Sequence, residues 1–376
     1  MKEKVRYISA DLLRGLVILI MIEVHVFNSF LMTELKQTGW FVVLNFINGL
    51  VAPSFLFVSG FAFQVSSGKK LEEMKKFGKT FWKKLGRIFQ IIIIGYALHL
   101  PFYSLSKIMN ETTSVTMESF YAIDILQCIG FGLLFLFALR MLIKSDKLYN
   151  HFLIASLILI LIISPIIWHI DFNKYLHPLF GNYPNRLHGS LFPVFPWLNF
   201  LLAGAIFAKY YVLAKETNEE SIFIKNILIV SLVIIILGHL FYSGLFSENL
   251  TSIIPNPVFY FERLGYIIIL FTMCWFVEKK TNVKKSFILD ASRESLLIYW
   301  LHLVIIFGAF WKGKSLAIKI GTTLNLIETI IVTLLLMVLM VLIAKIWGWV
   351  KTNYPRYAFL FVNLSVLILV IFFIFK

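Results

Sequence analysis

Apolar runs about 20 residues long recur along the chain, each closed by a cluster of charged or turn-forming residues. At about 1.5 Å per residue, a helix of that length crosses the ~30 Å hydrocarbon core of a bilayer. The runs fall near residues 8–30, 42–66, 87–105, 119–141, 151–170, 191–211, 226–246, 257–277, 288–310, 321–345 and 357–375. The pattern therefore predicts an all-α fold, a polytopic transmembrane helix bundle of about 10–11 spans. No strong internal repeat or low-complexity linker divides the chain. One membrane domain is expected over residues 1–350, with 351–376 as an extra C-terminal transmembrane helix.

Composition turns the pattern into a requirement. Of 376 residues, 59% are hydrophobic and 15% charged, against about 45–50% and 25% in soluble domains. A soluble core of this size cannot absorb that much apolar surface, so the lipid bilayer is the first partner. The net charge of +15 would suggest nucleic acid in a soluble chain. Here, however, basic residues collect in alternate loops, the mark of cytoplasmic membrane faces, and no nucleic-acid partner is expected. With the N-terminus inside, 25 of the 35 Lys and Arg lie on the inner side, eight of them in residues 69–87. Seven lie outside, and the chain reads as a multi-pass integral protein of a bacterial cytoplasmic (inner) membrane with a cytoplasmic N-terminus. Asp11 and Arg14 interrupt the first apolar stretch and no small-residue cleavage site follows it, so it is expected to be a retained helix. The inner loop 67–87 is amphipathic and basic, suited to lying on anionic lipid or to docking a phosphate-rich molecule. Cys128 and Cys274 lie in separate apolar runs, and the eight histidines have no HExxH-like spacing, so neither a disulfide framework nor a metal site is expected.

Ionisable residues inside spans are costly and mark cavities, partners or chemistry. In the first helix Asp11, Arg14 and His25 fall within about 60° of one another at 100° per residue, whereas Glu23 points elsewhere. Asp11 and Arg14 stand near the cytoplasmic end, where they are spaced for an i,i+3 ion pair. His25 stands near the outer end. In the ninth run, Ser295, Tyr299 and His302 form a second stripe, with Asp290 or Ser292 available to cap the helix start and Arg293 at the inner mouth. Asp124 and Gln127 share a turn near the outer end of the fourth run, and Glu262 and Arg263 enter the eighth from outside. His99, His169 and His239 read as packing or interfacial residues.

Six segments, in order, resemble the catalytic-domain family of heparan-α-glucosaminide N-acetyltransferase and its bacterial relatives. They are RYISADLLRGLVILIMIEVH (6–25), APSFLFVSGFAF (52–63), DILQCIGFGLL (124–134), FPVFPWLNFLLAGAIFA (192–208), NPVFYFERLGY (256–266) and SRESLLIYWLHL (292–303). The resemblance covers about residues 6–310 and places the chain within a wider group of integral-membrane acyltransferases. It implies an acyl donor, typically acetyl-CoA, entering from the cytoplasm, and a glycan or sugar acceptor on the far side. The heparan enzyme keeps a catalytic histidine in the outer loop after this first helix; ELKQTGWF (34–41) has Gln37 there instead. His25 occupies the helix-end position where the wider group keeps its essential histidine. The acceptor is accordingly expected to offer a hydroxyl or an amine.

Acyl transfer needs a base for the attacking group, a partner that orients the base, and donors for the oxyanion. The expected catalytic set is His25 as base, Asp124 or Glu262 as orienter, and His302. Gln127, Arg263 and Tyr299 are expected to contact the substrate. Asp11, Arg14, Lys84, Arg87 and Arg293 are expected at the CoA end, the cations on its phosphates. A transporter or flippase of a glycan or lipid-linked sugar would also need polar stripes, but it should show matched pseudo-symmetric halves, which the sequence lacks. A homo-oligomer is compatible with all of this.

Overall fold

The computed structural model describes residues 6–68, 71–281, 283, 285–308 and 314–375, and its regular elements are helices. In chain order they are α1 (Ile8–Phe30), α2 (Gly39–Asn48), α3 (Val51–Gly68), α4 (Leu71–Lys75), α5 (Lys79–Leu98), α6 (Leu105–Glu111), α7 (Ser114–Tyr121), α8 (Ile125–Leu142), α9 (Asp146–Ile167), α10 (Pro178–Gly181) and α11 (Val194–Glu216). There follow α12 (Glu220–Leu240), α13 (Glu248–Thr251), α14 (Pro257–Thr281), α15 (Phe287–Arg293), α16 (Ser295–Phe307), α17 (Leu316–Ile320), α18 (Leu326–Asn353) and α19 (Pro355–Phe375). Among the described residues, eight helices are long and apolar enough to cross a membrane: α2 with α3 as one segment, α8, α9, α11, α12, α14, α18 and α19. The fold is thus the expected all-α polytopic bundle. Three of the runs read as spans differ from those eight in charge or length. Helix α1 carries Asp11, Arg14 and Glu23, α5 carries four cations in its first half, and α16 has only 13 residues.

The ninth run is not one continuous helix. It breaks at Glu294 (φ −109°, ψ 25°) between α15 and α16, with the Glu294 carboxylate held by Lys351 Nζ at 2.5 Å. Its start is also earlier than expected. Ser286, rather than Asp290 or Ser292, is the N-cap, its hydroxyl accepting from the Leu289 amide.

The helices group into two compact units. The first takes the described residues of Met1–Val51 and Met273–Lys376, in which α1 packs along α15, α16 and α18. At Gly15 the backbones of α1 and α15 nearly touch: a Cβ there would lie 2.0 Å from the Ile288 carbonyl oxygen. Small residues at such crossings are how membrane helices gain close contact without a hydrophobic driving force.

The second unit, Ala52–Thr272, uses the same device twice between α3 and α11. Gly60 faces the Leu201 carbonyl and Gly204 faces the Phe57 carbonyl, each too close for a Cβ. Around this seam Phe57, Phe61, Phe207, Tyr211 and Phe271 interlock as tilted and edge-on pairs. Helix α8 packs against α5 and α11, and α9 against α11.

Candidate functional site

Helix α1 presents His25 toward α16 within the first unit. Its Nδ1 lies 3.0 Å from Nε2 of His302, with the ring centroids 5.1 Å apart and the planes 40° from parallel. His302 is fully buried, and its Nδ1–H donates to the Ile298 carbonyl one turn earlier at 2.6 Å. Tyr299 stands edge-on to His302 at 5.9 Å, and Phe307 edge-on to His25 at 6.0 Å. The two polar stripes read on separate helices therefore meet, through their histidines. His25 itself is half-buried. Gln37, at the loop position where the resembled enzyme carries histidine, sits exposed in a short 3₁₀ turn, Leu35–Gln37.

At the N-terminal end of α1 a charged network replaces the imidazoles. Asp11 accepts from Arg6 Nε at 2.6 Å and from Arg14 Nη2 at 2.7 Å, and Arg14 Nε donates to the Ser292 hydroxyl at 3.0 Å. The planar guanidinium thus spans α1 and α15, which an ammonium could not do with the same two-sided geometry. The Ser9 amide donates to Glu278 at 2.8 Å, and the Ser9 hydroxyl also meets that carboxylate. Arg293 lies 3.4 Å from Asp290 and is half exposed.

The second unit holds the remaining candidates. Asp124 is the N-cap of α8, its carboxylate accepting from the Ile125 amide at 2.7 Å and standing 3.8 Å from His99 Nε2. His99 in turn donates from Nδ1 to the Gly95 carbonyl at 3.1 Å. Both line an open cleft of about 540 Å³, with Glu118, Ser119 and His188. His188 is held by Asp171 at 2.7 Å, a hydrogen bond that draws the Asp171 carboxyl below its ordinary value. Gln127 is fully buried and neither atom of its amide has a hydrogen-bond partner. Leaving such a group unpaired costs about 1–3 kcal/mol, which makes it a candidate contact for a polar ligand. Glu262 lies 3.1 Å from His239 Nδ1, and the Arg263 guanidinium covers the Phe259 ring at 4.6 Å. Lys84 donates to the Ser67 hydroxyl at 2.6 Å over the Phe63 ring, while Arg87 is exposed on α5.

Several polar contacts had no single-residue signal in the sequence. Glu23 accepts from the buried Asn48 amide at 3.3 Å, so the carboxylate that points away from the Asp11–His25 stripe meets α2. Ser292 serves Arg14 rather than a helix start. His99, read as packing, stands 3.8 Å from Asp124 in the cleft. In each case the partners belong to different helices, and helical periodicity on one helix says nothing about the neighbour it meets.

The family model described as heparan-alpha-glucosaminide N-acetyltransferase, catalytic, matches residues 6–242. That stretch includes His25, Arg14, Asp124 and Gln127, and stops before Glu262 and His302. No curated protein matches the chain.

Proposed function

The chain belongs to the heparan-α-glucosaminide N-acetyltransferase catalytic-domain family, and from that premise we propose that it moves an acetyl group from cytoplasmic acetyl-CoA to a sugar hydroxyl or amine on the extracytoplasmic side. The family implies membrane acetyltransferase-type activity. What supports the finer reading is the His25–His302 pair: a half-buried imidazole at 3.0 Å from a second, fully buried one, on the first helix of the matched segment.

In this reading His25 is the general base. The acceptor O–H or N–H gives its proton to the imidazole as the heteroatom attacks the thioester carbonyl carbon. The tetrahedral oxyanion collapses, the C–S bond breaks, and CoA leaves as a thiolate that takes up a proton. The orienting role expected of Asp124 or Glu262 passes to His302, because Asp124 is occupied as a helix cap beside His99 and Glu262 pairs with His239. Tyr299, in the same unit as the pair, remains the proposed acceptor contact, while the unpaired Gln127 amide supports a polar-ligand contact within the second unit. For the donor we propose Arg14 and Arg293, both in the first unit, as phosphate ligands. Asp11 then serves to position Arg14 through the 2.7 Å ion pair.

The test is acetyl transfer from radiolabelled acetyl-CoA to a panel of sugars by the purified protein in lipid. His25→Ala is expected to lower kcat by about 10²–10⁴-fold, the usual span for a general base. Wild-type turnover in His25→Ala removes the assigned base; absence of any transfer by the wild type removes the acetyltransferase reading.

A further inference from the structure

We infer that His302 is a positioning residue that fixes the proton of His25 on Nδ1 and leaves Nε2 as the reacting nitrogen. The inference rests on the reading of His25 as base and goes beyond it by naming the atom and the device that selects it.

The hydrogen bonds, taken from the backbone outward, assign each ring proton. The Ile298 carbonyl can only accept, so the 2.6 Å contact requires the His302 proton on Nδ1. A neutral imidazole protonated there has a lone pair, and no proton, on Nε2. The 3.0 Å contact between that Nε2 and His25 Nδ1 then requires the proton to come from His25. A neutral His25 protonated on Nδ1 carries a lone pair, and no proton, on Nε2. One backbone carbonyl thus sets the tautomers of two imidazoles in series. His302 is fully buried, and its two hydrogen-bonding partners are a carbonyl and an imidazole, neither an anion that would balance a second ring proton. The arrangement does for His25 what a buried carboxylate does for the histidine of a hydrolase triad, holding the ring and its tautomer, but with a neutral partner. It also separates roles by position. Taking the acceptor's proton falls to Nε2 of the half-buried ring, while Nδ1 is committed to His302.

The chain makes this arrangement locally. Ile298 and His302 are i and i+4 on α16, so the ring folds back along its own helix to reach the carbonyl. Tyr299 stands edge-on to the same ring at 5.9 Å. Across helices the arrangement requires that α1 and α16 keep their register, which the α1–α15 crossing at Gly15 and the Arg14–Ser292 bond support from the same unit.

Two variants and one spectroscopic readout test it. Solid-state NMR of the full chain with ¹⁵N-histidine in lipid bilayers reads the tautomer without turnover, so its result is independent of whether His25 is the base. Expected are His25 protonated at Nδ1 and bare at Nε2, and a through-hydrogen-bond nitrogen–nitrogen coupling between His25 and His302. His302→Asn keeps a donor for Ile298 and loses the acceptor facing His25. Its kcat is expected to fall on the order of 10²–10⁴-fold with KM for donor and acceptor little changed. His302→Gln returns an amide oxygen near the Nε2 position and should recover part of kcat. Proton on Nε2 of His25 in the wild type, a doubly protonated His302, or wild-type kcat in His302→Asn would overturn the inference. The reading of His25 as base fails separately, in the His25→Ala assay.

Discussion

At the residue scale, two ionisable groups singled out by the same reasoning prove to be held in different ways. His25 meets side chains of another helix, the imidazole of His302 and the edge of Phe307. Asp124 is bound to its own backbone, accepting from the Ile125 amide at the first turn of α8. A helix cap of this kind is worth about 0.5–2 kcal/mol against alanine and is met almost equally by Asp and Asn. Asp124→Ala should therefore lower stability by about 1 kcal/mol, whereas Asp124→Asn should leave the melting temperature near wild type and acetyl transfer intact. Thermal unfolding in detergent, paired with the transfer assay, separates the cases. A well-folded Asp124→Asn protein that has lost activity would show that the carboxylate charge, and not the cap, is what the site uses. The candidate residue types were legible from their expense inside a span, as with His25 and His302. What each would touch was not, because positions 25 and 302 are 277 residues apart and the wheel of one helix carries no angle for another.

At the element scale the informative features are the places where helices stop or touch. The break at Glu294 has no glycine or proline to announce it, and the carboxylate that marks it is satisfied by Lys351 from α18. A periodic apolar run therefore read as one span where the chain builds a short helix and a second helix of 13 residues. The α1–α15 crossing, by contrast, rests on a glycine whose role can be weighed. Replacing a mid-helix glycine by alanine ordinarily gains up to about 1 kcal/mol in helix propensity. At Gly15 the new Cβ would meet the Ile288 carbonyl oxygen at 2.0 Å, and backbone cannot swing aside as a long side chain can. Overpacking costs about 1–3 kcal/mol, so it outweighs the propensity gain. Gly15→Ala is expected to melt lower than wild type and to lose acetyl transfer, since the crossing keeps α1 in register with the His302 helix. Gly86→Ala, on α5 with nothing within 4 Å of the new Cβ, is expected to melt at the wild-type temperature or above it. Equal melting temperatures for Gly15→Ala and wild type would mean the α1–α15 contact gives way easily and does not set that register.

At the scale of the whole molecule, the amount of apolar sequence decided the class before any detail, and the eight long apolar helices agree with it. Their partition into two units was not readable, because neither composition nor periodicity changes near residues 51 and 272. The C-terminal helix shows why apolar length alone is a poor guide to importance. Helix α19 is as hydrophobic as any span, yet its buried residue is Ala358, and it meets α18 through pairs such as Trp347 with Phe361 at 5.7 Å. In water such a face would aggregate. In a bilayer it loses nothing by facing lipid tails, which are as apolar as leucine, so its removal takes away little packing energy. A chain ending at Asn353 is therefore expected to insert, fold and transfer acetyl groups at a rate within about threefold of the full protein, as for changes worth about 0.5 kcal/mol. The comparison needs both proteins in the same lipid and the same transfer assay. If the shortened chain inserts and melts like the full protein yet has lost activity, α19 must belong to the catalytic unit, and its exposed face would then require a partner.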